Sequence, residues 1–309
     1  MTLFFYGPSS YLLHQQTEQM VQAYLKKTGS GIGLERIDGS LAKPAEIRTA
    51  LQAAPFLTSS RLVVITGLST AKATFDKLGD PLALVPKTTV AVFAEPLIDQ
   101  RTSAFKVLGG ADKVIKFEPP TPMQLTNWVK RQVESLGGTI DRSAVTALLK
   151  RAGDDQWRLS QEVDKLVGYN PVVTAETVAL LVVRSPDATI FDLVEAATAG
   201  RVADALAAFA DMAALKHDDM YVLTMVQWQL RNLLLAKVAP SGLSSGELAK
   251  AAGMSPYVAT KMMAASKKHE ETALCAAVMR AADLEFEIKT GVVKSDVGLE
   301  QLIFSLGRP

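Results

Sequence analysis

The sequence has 309 residues, with 33 Lys and Arg against 32 Asp and Glu, so its formal charge of +1 excludes nucleic-acid binding through a global positive field, though not through a local basic face. Its single cysteine, Cys275, excludes an internal disulfide and fits a reducing compartment. The opening MTLFFYGPSS lacks the basic segment of a secretory signal, and no stretch nears the ~18 apolar residues of a bilayer span, so a soluble, cytoplasmic protein of two or three domains is expected.

Across residues 1–118, β-rich apolar runs at 3–6, 34–37, 62–66, 88–93 and 113–117 alternate with segments of helical spacing. Leu12, Gln16, Met20 and Tyr24 share one face of the first such segment. Strands separated by helices predict a mostly parallel sheet covered on both faces. The stretch between Thr70 and Leu84 carries the weakest helical pattern.

The prolines of EPPTPMQ (Pro119, Pro120, Pro122) end this alternation and mark a boundary. Thr121 reads as an N-cap, with Pro122 at the first helical position and Gln124 completing a capping box. Further helix starts follow at Asp141, at Asp154 or Asp155, and at Thr174. They predict a small helical domain over 119–184. From Thr189 onward no strand is expected. Helices fit 190–199, 202–215, 218–236, 244–252, 256–267, 270–290 and 296–306, many rich in Ala, which lets helix axes approach closely. An all-α bundle is expected over 185–309.

The chemistry that such an α/β domain usually carries is missing. A nucleotide-binding loop needs G-x-x-x-x-G-K-[ST] after the first strand, so that amides wrap the phosphates and Lys reaches them. Here Gly7 is followed by Pro8, Ser9, Ser10 and Tyr11, without the second glycine or the lysine. The third strand ends in Thr66-Gly67, where an ATPase would place acids for metal and water. His14, His217 and His269 lie in no metal-ligand spacing. Cys275 sits among small apolar residues and reads as a buried, inert thiol. Asp154 and Asp155 read as helix caps before they read as an acid/base pair. No catalytic residue, cofactor or metal site is expected.

Residues 243–269 have the outline of a helix-turn-helix, with Gly253 in the turn and Lys261, Lys267 and Lys268 on the second helix. A reading helix carries polar base-readers near its start. Tyr257, Val258, Ala259 and Thr260 suit packing better, and a Ser244–Glu247 capping box explains the segment without DNA.

One stretch asks for a partner. In QAAPFLTSSRLVVI, Pro55, Phe56 and Leu57 occupy a connector between a helix and a buried strand, where polar residues are usual. Taken alone, the pair reads either as side chains folded under the sheet or as an exposed anchor.

Taken in order, LFFYG, ERIDGS, PFLTSSRLVVI, TTVAVFAEP…DQRTSAFKVL, GDDQWRLSQEVDKLVGY, TIFDLVEAATAGRVADAL and DLEFEIKTG resemble the delta-subunit family of the bacterial DNA polymerase III clamp loader, over nearly the whole chain. The resemblance implies a degenerate AAA+/RecA-like parallel-sheet domain without nucleotide binding (1–118), a small helical lid (119–184) and an all-α collar (185–309). It implies a non-catalytic subunit that binds the sliding clamp (beta) and helps open it for loading onto primed DNA. Motor and delta-prime type subunits would meet the collar, with primer-template DNA inside the complex and no membrane contact. The family's Leu-Phe clamp anchor falls on Phe56-Leu57, beside Pro55, with the two residue types in reversed order. Lys130, Arg131, Lys150, Arg151 and Arg158 of the lid then face either solvent or the DNA backbone. The rival functions are an ATPase motor subunit of the same complex and a helix-turn-helix regulator.

Overall fold

The structure, a computed structural model, describes residues 1–307. Its contacts divide the chain into two compact units, Met1–Pro119 and Pro120 onward. The segments expected as lid and collar both fall in the second.

The first unit runs β1 (Thr2–Tyr6), α1 (Ser10–Thr28), β2 (Leu34–Asp38), α2 (Pro44–Gln52), β3 (Arg61–Thr66), a 3-10 turn (Leu68–Thr70), α3 (Lys72–Leu78), β4 (Thr89–Glu95), α4 (Ser103–Leu108) and β5 (Lys113–Lys116). Every pairing is parallel, in the order β2-β3-β4-β1-β5. The degenerate AAA+/RecA-like α/β domain expected from the sequence is therefore a five-stranded parallel sheet. Strand alternation sorts its residues onto two buried faces. Phe4, Val63, Ile65 and Phe93 pack with Ile47 and Leu51 of α2, Phe75 of α3 and Leu108 of α4. Leu3, Phe5, Val64 and Val92 pack beneath Leu13, Val21 and Tyr24 of α1. The buried stripe of α1 is thus Leu13, Thr17, Val21 and Tyr24. Leu12, Gln16 and Met20, expected to share the face of Tyr24, sit beside it and are only half-buried.

The second unit opens with α5 (Pro122–Ser135), β6 (Thr139–Ile140), α6 (Arg142–Ala152), α7 (Gln156–Tyr169), β7 (Val172–Val173) and α8 (Ala175–Leu181). Thr121 and Gln124 form the expected capping box; Asp141, Asp155 and Thr174 cap the next three helices. The parallel β6–β7 pair is an addition to the helices expected here. Strands of two residues are too short to show a period.

It continues with α9 (Pro186–Thr198), α10 (Val202–Ala214), α11 (Asp219–Val238), α12 (Ser245–Ala252), α13 (Pro256–Ser266), α14 (Glu271–Lys289) and α15 (Ser295–Leu306). Ile190, Leu193, Val226, Leu230, Met262, Leu284 and Leu302 belong to one core shared by these helices except α12, whose Leu248 and Ala249 pack with Ala259 in a smaller cluster. The apolar side of α11 is largely spent inside that core. Cys275 differs from expectation: it is half-exposed, because Leu274, Ala281 and Leu284 take the buried stripe of α14. Among the described residues no helix is long and apolar enough to cross a membrane.

Candidate functional site

The turn between α2 and β3 carries its two largest side chains outward. Phe56 is 74% exposed and Leu57 76%, whereas Pro55 is half-buried. Neither side chain is folded under the sheet. Ile47 and Leu51 of α2 and Val63 of β3 already fill the adjacent core, leaving the connector's side chains outside it. Leu57 has φ of +60°, a left-handed conformation that is uncommon for a residue bearing a Cβ.

Polar contacts hold this turn at both ends. On one side, Arg61, the first residue of β3, is 8% exposed. Its guanidinium donates to the carbonyls of Ala50 at 2.7 Å and Ala53 at 2.9 Å, and to Glu35 Oε2 at 2.5 Å. Ala50 lies in the last turn of α2, whose carbonyls lack intrahelical partners, and Ala53 is the residue that caps it; a planar guanidinium suits such forked binding. On the other side, the Tyr24 hydroxyl lies 2.8 Å from the Ile32 carbonyl and 2.9 Å from that of Ser60. The Thr58 hydroxyl also donates to Ser60 O at 2.9 Å. Gly33 at φ +84° makes room here, since a Cβ on it would come within 2.6 Å of the Tyr24 oxygen. The sequence reading missed Arg61 and Tyr24. An arginine opening an otherwise apolar strand was the available signal.

Where a phosphate loop would sit, the backbone is occupied. Gly7, at φ +127°, packs so tightly that a Cβ would lie 2.4 Å from the Phe117 carbonyl oxygen. That oxygen accepts from Ser9 N–H at 3.1 Å, and Ser10 N–H donates to Pro8 O at 3.1 Å. At the end of β4, Glu95 is 1% exposed. Its Oε2 accepts from the Ser69 hydroxyl at 2.5 Å and from the Ser69 N–H at 3.1 Å. Oε1 is buried without a partner. Burial pushes this carboxyl above the usual glutamate range, and the Ser69 bonds offset only part of the rise.

The other singled-out residues are dispersed or engaged. Asp155 Oδ1 accepts from Trp157 N–H and Arg158 N–H, while Asp154 accepts from the Ser255 hydroxyl. Arg151 Nε donates to Val182 O at 2.6 Å and an Arg158 amino group to Val183 O at 2.8 Å, so both fasten the end of α8. Arg131 is exposed and Lys130 half-buried. In the helix-turn-helix outline, Tyr257 donates to Leu149 O at 3.3 Å, and the Lys261 ammonium lies 3.8 Å from the Phe191 ring centroid. Of the positions that would read bases, Tyr257 and Val258 are half-buried, Ala259 is buried and Thr260 is exposed. Among the described residues no three His, Cys, Asp or Glu side chains gather as a metal site.

Two family models cover most of the chain. "DNA polymerase III, delta subunit" matches residues 3–118, and "DNA polymerase III delta subunit, C-terminal domain" matches residues 187–306. The chain belongs to the DNA polymerase III delta subunit family. Among curated relatives, the DNA polymerase III subunit delta of Bacillus subtilis (strain 168) is 20% identical over 316 residues, spanning 97% of this chain and 91% of that protein. Among solved structures, the Bacillus subtilis DNA clamp loader delta protein aligns with a TM-score of 0.71 at 19% identity, covering 100% of this chain and 95% of that one. That likeness shows a shared delta-type fold. Membership of the delta family supports a clamp-loader role for this chain.

Proposed function

We propose that the chain is a non-catalytic clamp-loader subunit that grips the sliding clamp through the α2–β3 turn and helps open it for loading onto primed DNA. The observation that carries this reading is the outward presentation of Phe56 and Leu57, 74% and 76% exposed, on a turn fastened at both ends. Burying each side chain in a partner's pocket returns ~1.5–3 kcal/mol, and central apolar anchors of this kind dominate many interfaces. Pro55 stiffens the approach to the pair. Opening a ring then requires that the turn and its surroundings bind the open form more tightly than the closed one.

In this reading residues 119–184 are the lid and 185–309 the collar, which meets motor and delta-prime type subunits. Primer-template DNA lies within the assembled complex in the cytoplasm. ATP is bound by neighbouring subunits; here the Gly7–Ser9 backbone is taken up by Phe117 and no P-loop lysine follows.

The test is a clamp-capture titration with the wild type and the Phe56→Ala/Leu57→Ala double variant. The expected result is a loss of about a hundredfold or more in affinity with an unchanged unfolding midpoint. Equal capture by both proteins would overturn the assignment. ATP hydrolysis by the purified chain would revive the motor-subunit alternative.

A further inference from the structure

We propose that the loop between α1 and β2 is a second contact of the face that grips the clamp, with Ile32 as its apolar group and Lys26, Lys27 and Lys87 as a cationic rim, and that the pocket it meets on the clamp is bordered by carboxylates. This rests on the α2–β3 turn being the grip.

The loop repeats the oddity of that turn. In TGSGIGLER, a connector of Gly and Ser carries one large apolar residue. Ile32, between Gly31 and Gly33, is 47% exposed. The backbone is fixed on both sides of it: Thr28 Oγ1 donates to Ser30 O at 2.8 Å, and Leu34 N–H donates to Gly31 O at 3.1 Å. An apolar group held in place in this way docks without a large ordering cost.

Loop and turn form one rim. The Tyr24 hydroxyl lies between Ile32 O and Ser60 O, within hydrogen-bond reach of both. Leu62 N–H donates to Gly33 O at 2.9 Å. A Cβ on Gly33 would lie 3.1 Å from Thr58 Oγ1 and 3.3 Å from Ser60 O. Leu57 is three residues from Ser60, a reach of at most ~11 Å. A standard interface covers about 800 Å² of each partner, far more than Phe56 and Leu57 present. A partner seated on them therefore spreads along the rim, and the apolar side chain it meets across the Tyr24 bridge is Ile32.

The charges beside this apolar group are cationic. Lys26 and Lys27 close α1, just beyond Tyr24, and both are exposed. Lys87 is exposed as well, next to Thr88, whose carbonyl accepts from Arg61 N–H at 3.1 Å. None of the three is in an ion pair among the described residues. Glu35, at the start of β2, is already taken up by Arg61. Lysines at a helix end complement its dipole, but Lys87 precedes a strand and has no such duty. Cations around an apolar group match a socket with acidic edges, where complementary charge speeds encounter more than it adds affinity.

The test is clamp capture by the full chain, with association and dissociation rates measured across salt concentrations. Ile32→Ala should weaken capture about tenfold while the chain stays folded at the assay temperature. Lys26→Ala/Lys27→Ala/Lys87→Ala should slow association about tenfold at low salt and leave dissociation nearly unchanged, with the difference gone at about 1 M salt. Lys72→Ala, at the start of α3 and so at the opposite edge of the sheet, should change neither rate. Capture lost in Phe56→Ala/Leu57→Ala but intact in Ile32→Ala would overturn the loop's role and leave the turn as the grip. Capture intact in both would overturn the turn assignment as well. Association of the lysine variant at the wild-type rate would overturn the cationic rim.

Discussion

The Arg61 guanidinium and the Ala53 carbonyl, eight positions apart, are joined at 2.9 Å across the turn that displays Phe56 and Leu57. The strand that follows the exposed pair therefore also secures the helix end that precedes it. Arg61→Lys keeps the charge and loses the fork. We expect it to lower stability by about 1–3 kcal/mol, through carbonyls left unsatisfied, and to weaken clamp capture although both apolar side chains are intact. Denaturant unfolding and clamp titration on the same preparations check this. A loss of stability with unchanged capture would confine Arg61 to a purely structural duty.

Leu57 offers a second separation of conformation from contact. At φ +60°, Leu57→Gly removes the left-handed strain of a Cβ while adding backbone freedom to the unfolded chain; the two effects nearly cancel. The glycine variant should unfold within about 1 kcal/mol of wild type yet lose the Leu57 share of clamp affinity. Leu57→Val, β-branched at positive φ, should instead destabilise by about 1–3 kcal/mol. Urea midpoints distinguish the two.

Glu95 gives a pH-dependent prediction. Its folded carboxyl lies above the ordinary glutamate value because of burial, so the folded state holds that proton more tightly than the unfolded chain does. The stabilising contribution is complete below the ordinary value and is lost as pH rises through the folded one. Glu95→Gln keeps an acceptor for Ser69 and carries no charge. It should raise the unfolding midpoint at pH about 7, with the advantage shrinking toward pH about 4, where the wild-type carboxyl is protonated as well. Thermal unfolding across that range is the measurement. A variant advantage that is independent of pH would show that Glu95 is neutral throughout.

The parts of the fold legible in the sequence were those encoded locally. The five strands of the sheet follow from β-rich apolar runs, and the Thr121, Asp141 and Thr174 helix starts from side chains that bond amides three residues on. The phase of α1 was less legible, because its buried stripe includes Thr17, which satisfies its hydroxyl on Leu13 O and so tolerates burial. The β6–β7 pair depends on Thr139 meeting Val172, far along the chain.

At the candidate site, position and apolar character were legible, but exposure was not. Whether Phe56 points in or out depends on how much room Ile47, Leu51 and Val63 leave, which is a property of tertiary packing. The basic residues of the second unit teach the same lesson. Arg151 and Arg158 look like a charged surface until the 182–183 carbonyls, 31 and 25 positions downstream, arrive to meet them.

The fastening of the α2–β3 turn has a consequence for any attempt to transplant it. A free peptide copied from residues 52–60 would carry the same apolar groups but neither the Arg61 fork nor the Tyr24 hydroxyl. It would have to surrender its own disorder on docking, at roughly 1–2 kcal/mol for each residue that becomes ordered. In the intact chain that freedom is already lost during folding, so docking would not have to remove it again.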